Sequence, residues 1–173
     1  MTKTEIKENG FTVRLARAAE IDDILNIYDD ARAFMRTAGN PTQWSGGYPS
    51  REVLLGDIAA GQLYVCEDAG SLLAAFVFFV GEEEVYKTFD GDWGSDSTIY
   101  GVIHRVAVRA RGRGLGAAIL AYGYARAPGD LRIDTHRDNH PMRALLAKHG
   151  FVACGTVDYG AAGKRIAYRK WEK

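Results

Sequence analysis

Residues 106–116 read Val-Ala-Val-Arg-Ala-Arg-Gly-Arg-Gly-Leu-Gly, and this stretch says most about the fold and the function. An alternating run that is typical of a β-strand, Ile99–Val108, leads into it, and a helical pattern begins at Leu115. Glycine allows a tight turn and the close approach of a ligand, and the free N–H groups at a helix start favour anions. Arg111 and Arg113 add positive charge that suits phosphate oxygens. The stretch therefore predicts a site for a cofactor that carries a pyrophosphate.

The composition is that of an ordinary globular chain. Its 173 residues include 22 basic and 22 acidic side chains, so the formal net charge is zero and a general nucleic-acid binder is not expected. The longest apolar run, 72–80, is far shorter than the roughly 20 residues that a membrane-spanning helix needs. Residues 2–9 are polar and lack an apolar signal segment, so we expect no membrane association and a cytoplasmic location. Cys66 and Cys154 lie in apolar, strand-like runs and are expected to be core thiols.

The elements follow the order β-α-α-β-β-β-α-β-α-β-β, which predicts one α/β domain with mixed α+β layers over residues 11–173, preceded by a flexible tail, residues 1–10. Helical periodicity begins at Ile21, after Ser50, at Leu115 and near Pro141. The predicted strands are Thr12–Arg17, Gln62–Glu67, Leu72–Val80, Thr98–Val108, Leu131–Thr135, Phe151–Val157 and Lys164–Lys170.

The glycine loop resembles the acetyl-CoA signature of the GNAT family of N-acetyltransferases. It fits Arg/Gln-x-x-Gly-x-Gly/Ala as Arg111-Gly112-Arg113-Gly114-Leu115-Gly116. Residues 103–108 look like the family's fourth strand, and Asn139 with Lys148-His149-Gly150-Phe151 is similar to its Asn…Lys-x-Gly-Phe segment. The resemblance covers nearly the whole chain. It implies a GNAT-like fold, in which a mostly antiparallel sheet of about seven strands splays between strands four and five and is flanked by about four helices.

The resemblance also implies acetyl-CoA as co-substrate and no metal ion. The pantetheine arm would bind the backbone of Val106, Ala107 and Val108, and the pyrophosphate would bind the N–H groups of Arg111, Gly112, Arg113, Gly114, Leu115 and Gly116. Asn139 would reach the cofactor, although the same residue is an equally good N-cap for the last helix. Family members often carry a general-acid tyrosine where this chain has Leu146, so the group that protonates the departing thiolate is not assigned.

His104 is the candidate general base. Transfer of an acetyl group to an amine requires the loss of a proton near neutral pH, and histidine is the side-chain type that titrates there. Strand alternation places His104 on one face with Val106 and Val108, and Arg105 on the other face. A hydrogen-bonded core histidine is the alternative explanation of this position.

Charge and aromatic residues suggest how an acceptor would be held. Residues 81–97 contain six acidic side chains and one lysine, which indicates either an entrance for a cationic amine or a solvated surface. Four aromatic side chains on or beside the long loops are expected to line the acceptor pocket, unless they serve only loop packing. These are Phe34, Trp44, Tyr48 and Trp93.

These observations favour transfer of an acetyl group from acetyl-CoA to a primary amine of a small molecule, by direct attack in a ternary complex. A non-catalytic module that binds acetyl-CoA or a protein partner is one alternative. Gly112-x-Gly114 followed by Asp134 also fits an NAD(P)-binding domain, and Asp134, His136, Asp138 and His140 could form a metal site. No motif specifies the acceptor, the range of acyl groups or the oligomeric state, and a homodimer is compatible with the sequence.

Overall fold

A mixed sheet of nine strands organises the computed structural model, which describes residues 6–8 and 10–172. The strand order is β1-β2-β3-β4-β6-β7-β9-β8-β5, and every neighbouring pair is antiparallel except β6 and β7. The strands are β1 (Ile6–Glu8), β2 (Phe11–Leu15), β3 (Leu63–Asp68), β4 (Ser71–Gly81), β5 (Asp90–Gly91), β6 (Tyr100–Val108), β7 (Asp130–Thr135), β8 (Val152–Asp158) and β9 (Lys164–Trp171). The mixed, mostly antiparallel sheet is as predicted, and two short edge strands, β1 and β5, add to the seven expected.

The first of these edge strands corrects the predicted tail. Residues 6–8 form β1, which pairs with β2 through Ile6 opposite Val13, so these three residues belong to the sheet. Gly10 has a φ of +88° in the turn between the two strands, a conformation that glycine adopts without steric cost. Residues 1–5 and 9, the rest of that tail, lie outside the described residues.

Two pairs of helices cover the sheet, with bounds α1 (Ile21–Thr37), α2 (Arg51–Ala59), α3 (Leu115–Arg126) and α4 (His140–Lys148). One face packs against α1 and α2, which bury Ile24, Tyr28 and Leu54. The opposite face packs against α3 and α4, which bury Ile119 and Leu146. Within residues 6–8 and 10–172, each helix is too short or too polar to cross a bilayer.

The two cysteines differ in their surroundings. Cys66 on β3 is fully buried, and burial raises the pKa of its thiol to about 12. This places Cys66 in the core, as predicted. Cys154 on β8 is only partly buried, so the expectation of a core thiol is wrong there.

The sheet splays between β6 and β7, the predicted strands four and five. These strands pair only from Gly101 opposite Leu131 to Ile103 opposite Ile133. Beyond that point β6 pairs only with β4 and β7 pairs only with β9, so within the described residues no strand pairs with the β7-facing side of residues 104–108. The predicted gap is therefore present, and it is bordered by an edge of β6 that no other described strand pairs with.

A β-bulge interrupts β6 directly after His104. Val77 of β4 lies opposite His104 and Ala75 lies opposite Ala107, so two residues of β6 face a single residue of β4. Arg105, in the bulge, has a left-handed backbone with a φ of +52°, which is uncommon outside glycine. The strand therefore turns about its own axis at this point.

The bulge reverses the alternation of side chains along β6. Val106 and Val108 pack in the α3–α4 cluster, whereas His104 lies on the α1–α2 face. The expectation that His104 shares a face with these valines is therefore wrong. Arg105 was expected on the face away from His104, and it instead pairs with Asp57 of α2, 2.7 Å away, on the His104 side.

Candidate active site

His104 lies between two carboxylates beside the gap in the sheet. Its Nε2 atom is 2.8 Å from Glu83 Oε2, and its Nδ1 atom is 3.6 Å from Asp134 Oδ2. The same Asp134 oxygen accepts hydrogen bonds from the hydroxyls of Tyr86, at 3.1 Å, and Tyr159, at 3.0 Å. His104 therefore belongs to a polar cluster that borders a cleft, unlike a histidine enclosed by apolar side chains.

The two carboxylates of this cluster have pKa values that shift in opposite directions. Burial raises the pKa of Asp134, while the charge of His104 and the two tyrosine hydroxyls act in the opposite direction. Burial also acts to raise the pKa of Glu83, but the hydrogen bond and charge of His104 outweigh it and leave that pKa below its usual value. The ring of His104 therefore lies between one carboxyl with a lowered pKa and one with a raised pKa.

A cleft of about 610 Å³ opens beside His104. The segment after β4 contributes three consecutive acidic residues, Glu82, Glu83 and Glu84, to its lining. The loop between α1 and α2 contributes Trp44 and Tyr48, two of the four aromatic residues predicted for an acceptor pocket. Part of the acidic loop thus faces a cavity large enough for a small molecule.

The other two predicted aromatic residues lie elsewhere. Phe34 lines a second cleft and packs against Arg111, whose guanidinium carbon is 3.4 Å from the ring centre. Trp93 lines neither cleft and stacks on Phe89, with ring centres 4.1 Å apart. The structure therefore does not bring Phe34 and Trp93 to the larger cleft, because one faces the glycine loop and the other packs within the acidic loop.

The second cleft, of about 380 Å³, lies along the glycine loop. Gly112 and Gly114 both have a φ of +76°, and Gly114 directly precedes the first residue of α3. A side chain on Gly116 would begin only 2.7 Å from Leu145 Cδ2 of α4, so a larger residue there would require the Leu145 side chain to move. The predicted cofactor residues on its wall are Val106, Val108, Arg111, Gly112, Gly114, Leu115, Gly116 and Asn139.

Two predicted cofactor residues do not present side chains to this cleft. Arg113 pairs with Asp68 at 2.6 Å and lies over the ring of Phe11. Ala107 is buried on the α1–α2 face of the sheet. Any contribution of Arg113 and Ala107 to cofactor binding therefore comes from the backbone.

The two clefts meet at the gap between β6 and β7. Four residues line both of them, namely Met35, Val106, Asn139 and Met142. Asn139 also caps α4, because its Oδ1 accepts a hydrogen bond from the Met142 N–H at 3.2 Å. Asn139 can therefore both cap the last helix and border the cofactor cleft, the two roles that the sequence suggests for it.

Comparison with known proteins identifies the family. The sequence profile of the Acetyltransferase (GNAT) family matches residues 22–151. This chain belongs to the GNAT family. An uncharacterised N-acetyltransferase of Bacillus subtilis, YesJ, is 25% identical over 161 residues, which cover 88% of each chain.

Solved GNAT structures share the fold. A GNAT acetyltransferase of Streptococcus agalactiae is 35% identical, with a TM-score of 0.87 over 97% of this chain and 99% of that chain. A GNAT acetyltransferase of Listeria monocytogenes is 21% identical, with a TM-score of 0.68 over 98% of this chain and all of that chain, and this likeness concerns the fold alone.

Membership of the GNAT family removes the dinucleotide alternative. A classical dinucleotide-binding domain has a mostly parallel, doubly wound sheet, whereas only β6 and β7 are parallel here. Asp134 is buried in the His104 cluster. The alternative of a metal site at Asp134, His136, Asp138 and His140 has no support either, because no group of three His, Cys, Asp or Glu side chains within residues 6–8 and 10–172 is arranged to hold an ion.

Leu146 stands at the position where the family resemblance implied a general-acid tyrosine. Its side chain is fully buried between α4 and the sheet, and it has no proton to donate.

No local sequence signal marks Glu83 or Asp134 as a partner of His104, since they lie 21 and 30 positions away along the chain. Only the neighbouring positions of β4, β6 and β7 in the sheet bring the three together.

Proposed function

We propose that this chain transfers the acetyl group of acetyl-CoA to a primary amine of a small molecule, by direct attack in a ternary complex. The observation that carries the proposal is the junction of the two clefts at the gap in the sheet. A donor in the glycine-loop cleft and an acceptor in the larger cleft would meet there without a covalent enzyme intermediate.

The glycine-loop cleft suits a long cofactor with phosphates at one end. Backbone N–H groups at the start of α3 favour a pyrophosphate, and Arg111 adds a cation on the same wall. Val106 and Val108 line the path from this loop to the gap, where the unpaired edge of β6 can bond the amides of a pantetheine arm. The apolar lining beyond Gly116 suits the methylene groups of that arm.

The same unpaired edge of β6 supports chemistry at the thioester. A carbonyl oxygen placed against backbone N–H groups beyond Ile103 would be stabilised as negative charge develops on it. The attacking nitrogen then forms a bond to the carbonyl carbon, the C–S bond breaks, and CoA leaves as a thiol once it gains a proton. The source of that proton stays unassigned, because Leu146 cannot supply it.

His104 is proposed as the group that accepts the proton from the amine. With Nε2 hydrogen-bonded to Glu83, Nδ1 is the ring atom that can take up the proton, directly or through water, and Asp134 then stabilises the added charge. This arrangement supports catalysis over the alternative of a module that only binds acetyl-CoA. A cytoplasmic location and a homodimeric state stay predictions from the sequence.

An assay of free-thiol release from acetyl-CoA over a panel of primary amines tests this function. We expect at least one amine to raise the rate well above the hydrolysis seen without acceptor, and calorimetry to detect binding of CoA but not of NAD. Tight binding of NAD with no response to CoA would contradict the proposal. So would CoA binding with no stimulation by any amine, which would favour the non-catalytic module.

A further inference from the structure

One buried arginine beside the larger cleft has no acidic partner among the described residues. Four arginines are buried, namely Arg14 (6% exposed), Arg132 (3%), Arg165 (8%) and Arg169 (6%). Three of them pair with carboxylates: Arg14 with two glutamates at 2.6 Å, and Arg132 and Arg169 with Asp130 at 3.0 and 2.8 Å. Within residues 6–8 and 10–172, no carboxylate lies within 4.0 Å of the Arg165 guanidinium.

Arg165 is held so that part of its guanidinium faces the cleft. Nη1 donates hydrogen bonds to the carbonyl oxygens of Ala162, at 2.8 Å, and Lys164, at 3.3 Å. Nε and Nη2 have no hydrogen-bond acceptor in the described part of the chain, and Arg165 lines the cleft. A buried cation without a counterion is costly, and a guanidinium matches the two oxygens of a carboxylate. The side chain is therefore suited to a carboxylate that arrives with a ligand.

Thr135 lines the same cleft from the neighbouring strand, and its buried hydroxyl has no hydrogen-bond partner among the described residues. Thr135 on β7 lies opposite Ile166 on β9, so these two side chains share one face of the sheet and Arg165 lies on the other face. Asp134 lies opposite Ala167 and is therefore on the same face as Arg165. Arg165 is thus on the Asp134 side of the sheet, where it can meet a ligand carboxylate beside the His104 cluster.

Carboxylates that could attract a cationic amine lie near Arg165, around His104. Arg165 lies 5.5 Å from the ring centre of Tyr159, whose hydroxyl bonds Asp134, and Asp134 is 3.6 Å from His104. Glu83 lies on the far side of His104. The cleft therefore offers a cation and, linked to it through Tyr159 and Asp134, a proton acceptor flanked by carboxylates.

We infer that the acceptor is a free α-amino acid or a close analogue, whose carboxylate pairs with Arg165 while its amine faces Nδ1 of His104. This inference rests on the proposed acetyl transfer. The ammonium form of the acceptor loses one proton to become nucleophilic, its nitrogen bonds to the acetyl carbon, and the products are an N-acetyl amino acid, CoA thiol and one proton. Trp44, Tyr48 and Phe79 line the space left for the amino-acid side chain, which favours an apolar or aromatic one.

Matched acceptors provide the first test on the unaltered protein. Free-thiol release is measured with L-phenylalanine, L-phenylalaninamide and 2-phenylethylamine, and with the equivalent sets from leucine, methionine and tryptophan. The kcat/KM of the best amino acid should exceed those of its amide and its decarboxylated amine by about 10- to 100-fold, the usual value of a charge-assisted pair. Equal or better activity with the amide or the amine would overturn the inference, as would a complete lack of activity with amino acids.

Variants of Arg165 provide the second test. Arg165→Gln should raise the KM for the best amino acid by about 10- to 100-fold, while the KM for its decarboxylated amine changes less than about threefold. Arg165→Lys keeps the charge without the planar fork and should give an intermediate KM. Arg137→Gln removes an exposed cation outside the cleft and should leave both values unchanged.

Two controls separate this inference from the proposed function. Calorimetry with CoA on each variant, together with its melting temperature, shows whether the fold and the donor site are intact. If amines without a carboxylate are acetylated and Arg165→Gln affects all acceptors equally, Arg165 is a structural residue and only the inference fails. If CoA does not bind the unaltered protein, the proposed function fails as well.

Discussion

Gly114→Asp should abolish useful binding of acetyl-CoA while leaving the protein folded. Gly114 has a φ of +76°, and no heavy atom lies within 4 Å of the position that a Cβ would take. The added side chain therefore enters the open cleft of the glycine loop. A residue with a Cβ costs about 1–2 kcal/mol in this left-handed conformation. For a chain of this size, that cost lowers the melting temperature by about 2–8 °C.

The effect on binding is larger than the effect on stability. Two like charges 4 Å apart repel by about 4 kcal/mol at an effective dielectric constant of 20. Screening by solvent in an open loop reduces this to about 2 kcal/mol, which corresponds to a loss of about 30-fold in affinity. Loss of close backbone approach adds to that factor, so we expect the Kd for CoA to rise about 30-fold or more.

Isothermal calorimetry with CoA and thermal melting measure the two effects separately. Gly114→Ala controls for bulk, and it should bind CoA more tightly than Gly114→Asp. Gly129→Ala controls for backbone conformation, because Gly129 has a φ of +75° just beyond the other end of α3, away from the cleft. Gly129→Ala should lose about as much stability as Gly114→Ala and keep its CoA affinity. A Kd for Gly114→Asp within threefold of that of the unaltered protein would refute the placement of the pyrophosphate.

Three further predictions concern catalysis, acceptor binding and stability. His104→Ala should lower kcat about 100-fold or more and remove the acidic limb of the pH–rate profile, with the CoA affinity unchanged by calorimetry and a native-like melting transition. A near-normal kcat with that limb intact would exclude His104 as the base. Replacing Glu82 and Glu84 by lysine should raise the KM of an active amine, because both line the cleft, whereas an unchanged KM would make them a solvated surface. Asp57→Ala leaves the mostly buried Arg105 without its acidic partner and should lower the free energy of unfolding by about 2–3 kcal/mol. Unfolding in urea should then show a lower midpoint, and an unchanged midpoint would argue against this ion pair.

The glycine loop could be predicted from sequence because its physical requirements are local. Gly112 and Gly114 each need a left-handed backbone, and Gly116 needs room beside Leu145, so the pattern of glycines carries the geometry directly. The order of strands and helices follows from periodicity for the same reason. The splay between β6 and β7 was implied by the family resemblance instead, because no local pattern records where two neighbouring strands separate.

The partners of His104 could not be predicted in this way. Glu83 and Asp134 contact it only because β4, β6 and β7 are neighbours in the sheet, and no periodic pattern records such a contact. Arg165 was not singled out either, since an arginine in a strand gives no sign of whether an acidic side chain lies nearby. Trp93 was predicted to line the pocket but does not, because an aromatic residue in a loop is equally suited to a pocket or to stacking on a neighbour such as Phe89.

Because of the bulge at Arg105, the placement of side chains along β6 depends more on the number of residues in the strand than on their types. Side chains before it face the acceptor cleft and valines after it line the cofactor cleft, so one strand serves both ligands. Tyr28 of α1 and Asp57 of α2 hold the bulge, through the Arg105 carbonyl at 2.7 Å and its guanidinium. Deleting a single residue between His104 and Val108 would remove the bulge together with the contacts that hold Arg105, whereas inserting one residue would turn every later side chain to the opposite face. Relatives in which this one strand lines both clefts should therefore differ in the amino acids of β6 but have the same number of residues in it.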